Sequence, residues 1–205
     1  MNESRANSVR HLEGLYTVVV GLGLSLAILN VVDAKLEGLP IRIDLLPYFV
    51  SFLVTIIPFY HGALRHLYIT YVEKGGKQVR SGALLADFVM LFIESCLFLG
   101  LAMLITKPLF FAWGLTTLLA LDTLWGFIAH IAFSQDVKPK AEVRWALINL
   151  LTTVVLVIYF CLIDMVPPGA SVQGGPKLAI GLLVVSVLRT VIDYAVSWDF
   201  YYPSS

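Results

Sequence analysis

Long apolar runs separated by short polar or Gly/Pro-marked connectors organise this chain from end to end. A helix needs about 20 mostly apolar residues to cross roughly 30 Å of hydrocarbon. Six runs are of that order: Leu15 to Val32, Leu45 to about Leu64, Ala83 to Ile105, Leu109 to Phe133, Val143 to Val166 and Leu178 to about Trp198. The connectors are Asp33–Asp44, Glu73–Ser81, Thr106–Pro108, Ser134–Glu142 and Pro167–Pro176, none longer than twelve residues. Lys107-Pro108 is so tight a link that the third and fourth runs must form an antiparallel hairpin. The runs lack the period-two alternation of barrel strands, so helices are the element that satisfies their backbone in lipid.

Polar residues within the runs fall in stripes. On the sixth, Ser186, Thr190, Asp193 and Ser197 recur at helical spacing with Arg189 beside them. On the third, Arg80, Asp87 and Glu94 repeat every seven residues; on the fourth, Thr116, Thr123 and His130 align, flanked by Asp122. On the second, Ser51, Thr55, Pro58 and Arg65 share a face, with His61 four residues before Arg65. Such stripes are expected to face the interior of a bundle. At about 1.5 Å per residue, His61 lies about 22 Å from the outer face, Asp122 about 20 Å and Arg189 about 18 Å. Asp87 and Asn149 fall near the same level, Asp193 one turn lower, and Glu94 nearly two turns nearer the outside. A polar layer in the cytoplasmic third of the membrane is the expectation.

Composition fits the pattern. Of 205 residues, 59% are hydrophobic and 14% charged, against roughly 45–50% and about 25% in soluble domains; mean hydropathy is +0.85. Fourteen basic and fourteen acidic side chains leave no net charge, which argues against a nucleic-acid binder working by phosphate neutralisation. Cys96 and Cys161 both sit in apolar runs and form neither a CxxC pair nor a zinc motif. The first run is too long for a secretory signal and no small-x-small cleavage site follows it, so it reads as a retained anchor. Orientation follows the basic residues. Nine (Arg5, Arg10, Arg65, Lys74, Lys77, Arg80, Lys138, Lys140, Arg144) lie on the side of the termini and four (Lys35, Arg42, Lys107, Lys177) opposite. Both termini are therefore expected in the cytoplasm.

The fold class is all-α: one polytopic domain over 1–205, a bundle of six transmembrane helices, expected in a bacterial cytoplasmic (inner) membrane. The short connectors leave no room for a soluble ATPase, sensor or kinase unit. Ionisable groups within spans are costly and mark function or structural pairing. Arg189 and Asp193 at i, i+4 can pair within one helix, and Asp87 and Arg65 can snorkel to the interface. Yet Asp87, Asp122, Asp193 and Glu94 are four carboxyls against one guanidinium in the layer. The excess must be met by protonation, by a cation or water, or by a charged histidine. Asp122, Asp87 and Glu94 are the candidate proton or cation sites, Arg189–Asp193 a fixed pair, and His61 a relay.

Other signals are weaker. The Arg65–Val72 segment, with Arg65, His66, Tyr68 and Tyr71, extends the second helix to Gly75-Gly76 as a handle for a partner protein. Gly21-x-x-x-Ser25 and Gly23-x-x-x-Ala27 suit close helix packing, within one chain or in a homo-oligomer. No second histidine matches His61 in depth, which disfavours a bis-histidine haem, and no cofactor is expected. No protease or headgroup-transferase motif is present, so the reading leans away from an enzyme. No motif resembles a known family; the size alone is shared with several unrelated six-helix groups, which transfers no residue. The leading function is a transport or channel-type protein handling a proton or cation. The alternative is a non-catalytic membrane subunit or sensor that signals to a cytoplasmic partner.

Overall fold

The computed structural model describes residues 3–33, 35, 39–73, 82–133, 141–163 and 175–202. It is all-helical: α1 (Glu3–Val31), α2 (Leu46–Leu67), α3 (Ala83–Leu104), α4 (Pro108–Phe133), α5 (Ala141–Leu162), α6 (Pro176–Val196) and a short α7 (Trp198–Tyr201). A 3-10 turn, Ile43–Leu45, leads into α2 and a π-helical segment, Tyr68–Glu73, extends it. Six of these stretches are long and apolar enough to cross a membrane, among them Asn7–Val31 and Ile43–Val72. The first helix starts well before Leu15, the apolar start expected from sequence. Lys74, Lys77, Arg80, Gly75-Gly76, Lys138, Lys140 and Val166 lie outside the described residues.

The helices close into a ring in the order α1, α3, α4, α5, α6, α2 and back to α1. Its outward face is apolar, with Leu29 71%, Leu151 64% and Ile131 78% exposed. The stripe residues Ser51, Thr55, Asp87, Glu94, Thr116, Thr123, Ser186, Arg189, Asp193 and Ser197 are all buried. Apolar outside and polar inside is the inverse of a water-soluble bundle.

Local chemistry explains where the helices begin and meet. Pro108 and Pro176 open α4 and α6, at positions where a missing N–H costs nothing. Gly82, with φ of 90°, turns the chain into α3. Inside α2, Pro58 cannot donate to the Val54 carbonyl; the Thr190 hydroxyl of α6 donates to it instead, at 2.5 Å. Gly23 lets α1 approach the α3 backbone at Leu99, so Gly23-x-x-x-Ala27 is used within the chain, whereas Gly21 and Ser25 are exposed. At Gly126 a methyl group would stand 2.8 Å from the Ala146 Cβ and 2.9 Å from the Glu142 carbonyl oxygen, so only glycine permits this α4–α5 crossing.

One end of the ring is filled by aromatic and aliphatic side chains. Tyr48, Phe52, Phe98, Phe111, Leu115 and Leu118 are each no more than 2% exposed, and Tyr48 meets Phe111 edge to face. The other end, where α1 begins and α7 ends, carries the polar cluster.

Candidate functional site

Many stripe hydroxyls are spoken for by their own helices. Ser51, Thr116 and Thr123 each donate to the carbonyl four residues earlier, as does Ser95 beside Glu94, a local bond open to any helical Ser or Thr. The ionisable groups cannot be satisfied that way, and they meet across helices in two linked clusters.

The first joins α2, α3 and α5. His66 Nε2 lies 3.2 Å from Asp87 Oδ2 and its Nδ1 3.2 Å from Glu142 Oε1. The Tyr71 hydroxyl donates to the same Asp87 oxygen at 2.6 Å. An imidazole donates from both nitrogens only as the doubly protonated cation; that form matches a ring held between two carboxylates.

The second cluster joins α3, α4, α5 and α6. The carboxyls of Glu94 and Asp122 meet on the wall of one cavity, and two carboxyls that share a hydrogen bond hold a proton between them. Asn149 Nδ2 donates to Asp122 Oδ2, while Asn149 Oδ1 accepts from Arg189 Nε at 2.9 Å. Arg189 Nη2 lies 3.8 Å from Asp193 Oδ2, and its guanidinium sits 4.9 Å from the centre of the Phe59 ring. Tyr201 of α7 donates to Asp193 Oδ2 at 3.1 Å. Burial, and then the neighbouring carboxylate, push the Tyr201 phenol well above its ordinary range, so it remains a donor.

Both clusters line one cavity with about 70 Å³ of room for the centres of water molecules, and a single water needs about 10–15 Å³ on that measure. Its walls include Asp87, Glu94, Asp122, Glu142 and Asp193, five carboxyls, against Arg189 and His66. Arg189 Nη1, Asp193 Oδ1 and Trp145 Nε1 are buried without a protein partner, and their residues line the same space. Among the described residues, no three His, Cys, Asp or Glu side chains converge as metal ligands would.

The structure brings Asp87, Glu94, Asp122, Arg189 and Asp193 together around this cavity, with three departures from the sequence reading. His61 is elsewhere: its Nδ1 lies 3.2 Å from the Tyr194 hydroxyl, and its ring packs 4.7 Å from that of Tyr201. At 100° per residue, it stands about 90° from the buried line Ser51, Thr55, Pro58, Gly62, whereas His66 stands about 50° from it. His66 therefore takes the place among the carboxyls. The second departure is the docking segment. His66 and Tyr71 turn inward, Arg65 Nε donates to the Phe200 carbonyl at 3.0 Å, and Tyr68 is exposed; the four do not present one outward face.

Third, shared depth and polar phase predict that Arg189 contacts a carboxylate on another helix, Asp122 or Asp87, besides Asp193; instead Asn149 stands between Arg189 and Asp122. Glu94 and Asp122 meet although depth counting separates them. Side chains lean toward the N-terminus of their helix, so on antiparallel α3 and α4 these two lean toward each other. In the sequence Glu142 reads as a connector residue and Trp145 and Tyr201 as interface aromatics, so none of the three stands out there as part of a site. Asn149 was legible only as a polar group of matching depth. No known family model, curated protein or solved structure matches the chain.

Proposed function

We propose that this is a small integral membrane protein of the transport or channel type, with both termini in the cytoplasm of a bacterial cell, that takes up and passes protons through the polar cavity. The observation that carries the reading is the meeting of Glu94 and Asp122 on one buried cavity, with Asn149 hydrogen-bonded to Asp122. Two carboxyls sharing one hydrogen bond form a site that gains and loses a proton at little structural cost. Asn149 ties that site to Arg189, a permanent cation that holds the deprotonated form in place. His66, between Asp87 and Glu142, is the relay to the end of the bundle bearing the termini, and water in the cavity joins the two clusters. The opposite end is packed with Tyr48, Phe52, Phe98 and Phe111. Release on that side therefore requires this apolar plug to open, as alternating exposure of the site to the two sides demands.

The test is reconstitution of the purified protein into liposomes carrying a pH-sensitive dye, with an imposed pH gradient and a valinomycin-clamped potential. Flux is expected from the wild type and its loss from Glu94→Gln and Asp122→Asn. A silent wild-type protein that copurifies with a cytoplasmic partner would overturn the reading in favour of the anchoring role.

A further inference from the structure

A second concavity, independent of the proton cavity, lies between α1 and α2. It is an open groove of about 570 Å³ lined by Arg10, Glu13 and Thr17 from α1 and by His61, Arg65 and Tyr68 from α2. Two guanidiniums face this groove against one carboxylate, so its potential favours an anion. Arg65 is not a side chain trailing into solvent: its Nε is fixed on the Phe200 carbonyl at 3.0 Å, and its guanidinium lies 5.6 Å from the centre of the Tyr68 ring. The groove also has an open wall. Gly14 lines it, and a Cβ there would meet nothing within 4 Å.

The level of the groove indicates which anion. The stretch Ile43–Val72 has 30 residues, about 45 Å of helix against roughly 30 Å of hydrocarbon. An untilted α2 thus leaves the hydrocarbon near residue 63, which puts Arg65 and Tyr68 among lipid headgroups. Arg10 lies three residues into the first candidate span, which starts at Asn7, at the corresponding boundary. Arginine pairs with phosphate through a planar fork of donors, and tyrosine belongs at the same interface. We propose that this groove binds a phosphate group, and that the source in place is the phosphodiester of an anionic phospholipid whose chains lie along α1 and α2. The inference rests on the membrane-embedded reading but not on proton transfer.

The experiment uses the full chain purified in a neutral detergent and titrated with short-chain phosphatidylglycerol, short-chain phosphatidylcholine or inorganic phosphate, read by native mass spectrometry and thermal unfolding. Phosphatidylglycerol is expected to be retained and to raise the unfolding temperature, with phosphatidylcholine and inorganic phosphate ineffective at the same concentration. Arg10→Gln removes one charged donor from an exposed position and should weaken retention about tenfold. Gly14→Leu fills the groove without altering its charge and should weaken retention to a similar degree. Equal, Arg10-dependent stabilisation by inorganic phosphate would keep the phosphate site and overturn the lipid source. Phosphatidylglycerol binding unchanged in both variants, or matched by phosphatidylcholine, would overturn the site while leaving the proton reading intact. A chain that stays soluble and monomeric without detergent would instead remove the membrane reading beneath both.

Discussion

Replacing Asp122 by asparagine separates a structural carboxyl from a working one. Asp122 accepts from Asn149 and meets Glu94 on the wall of the cavity. An asparagine side chain fills the same space, accepts from Asn149 through its oxygen and donates to Glu94 through its amide. The charge-assisted bond from Asn149 becomes a neutral one, a loss of about 1 kcal/mol. Removing a carboxylate from a low-dielectric site offsets part of that loss, so Asp122→Asn should fall within about 1 kcal/mol of wild-type stability. Leucine is the contrast, because it leaves both Asn149 and Glu94 without their partner. At about 1–3 kcal/mol for each orphaned group, Asp122→Leu should cost about 2–6 kcal/mol. Stability would be followed by denaturant titration in detergent micelles and proton flux in dye-loaded liposomes. Infrared difference spectroscopy would follow the carbonyl stretch of the protonated carboxyl, which Asp122→Asn should perturb. The reasoning fails if Asp122→Asn folds normally, keeps full flux and leaves that band unchanged; the polar layer would then be a structural tie.

Other perturbations test separate parts of the argument. Thr190→Val removes the donor that serves the Val54 carbonyl freed by Pro58 and should cost about 1–3 kcal/mol in the same unfolding assay; no loss would mean that this carbonyl finds another partner. Gly126→Ala drives a methyl group against Ala146 and the Glu142 carbonyl, and should destabilise by about 1–3 kcal/mol while reducing flux, since Asn149 and Asp122 meet across the same crossing. Tyr201→Phe removes the donor to Asp193 at a cost of about 1–2 kcal/mol. Because the phenol is held above its ordinary range, an absorbance titration of wild type against this variant should show Tyr201 ionising only in more alkaline solution than a free tyrosine. Tags placed at either end of the chain should be inaccessible from outside intact cells; labelling of a tag at Ser205 there would reverse the orientation.

The number of helices, their approximate bounds and the burial of their polar faces were legible in the sequence. Those properties depend on local quantities: apolar run length, helical periodicity and the punctuation of Pro108 and Pro176. Asp87, Glu94, Asp122, Arg189 and Asp193 could be picked out for the same reason, since an ionisable group in an apolar run stands out without knowledge of its neighbours. Their pairing could not be read this way, because it depends on azimuth and lean across helices far apart in the chain. A rotation separating His61 from His66 by about 140° on α2 decides which histidine meets a carboxylate. The opposing lean of side chains on α3 and α4 brings Glu94 to Asp122. Asn149 stands between Asp122 and Arg189 only because Gly126 lets α5 come close enough to α4. The sequence by itself determined that costly charges lie inside an apolar bundle; the tertiary structure decided which of them share a bond, because that depends on how close the helices pack and how each is turned about its axis.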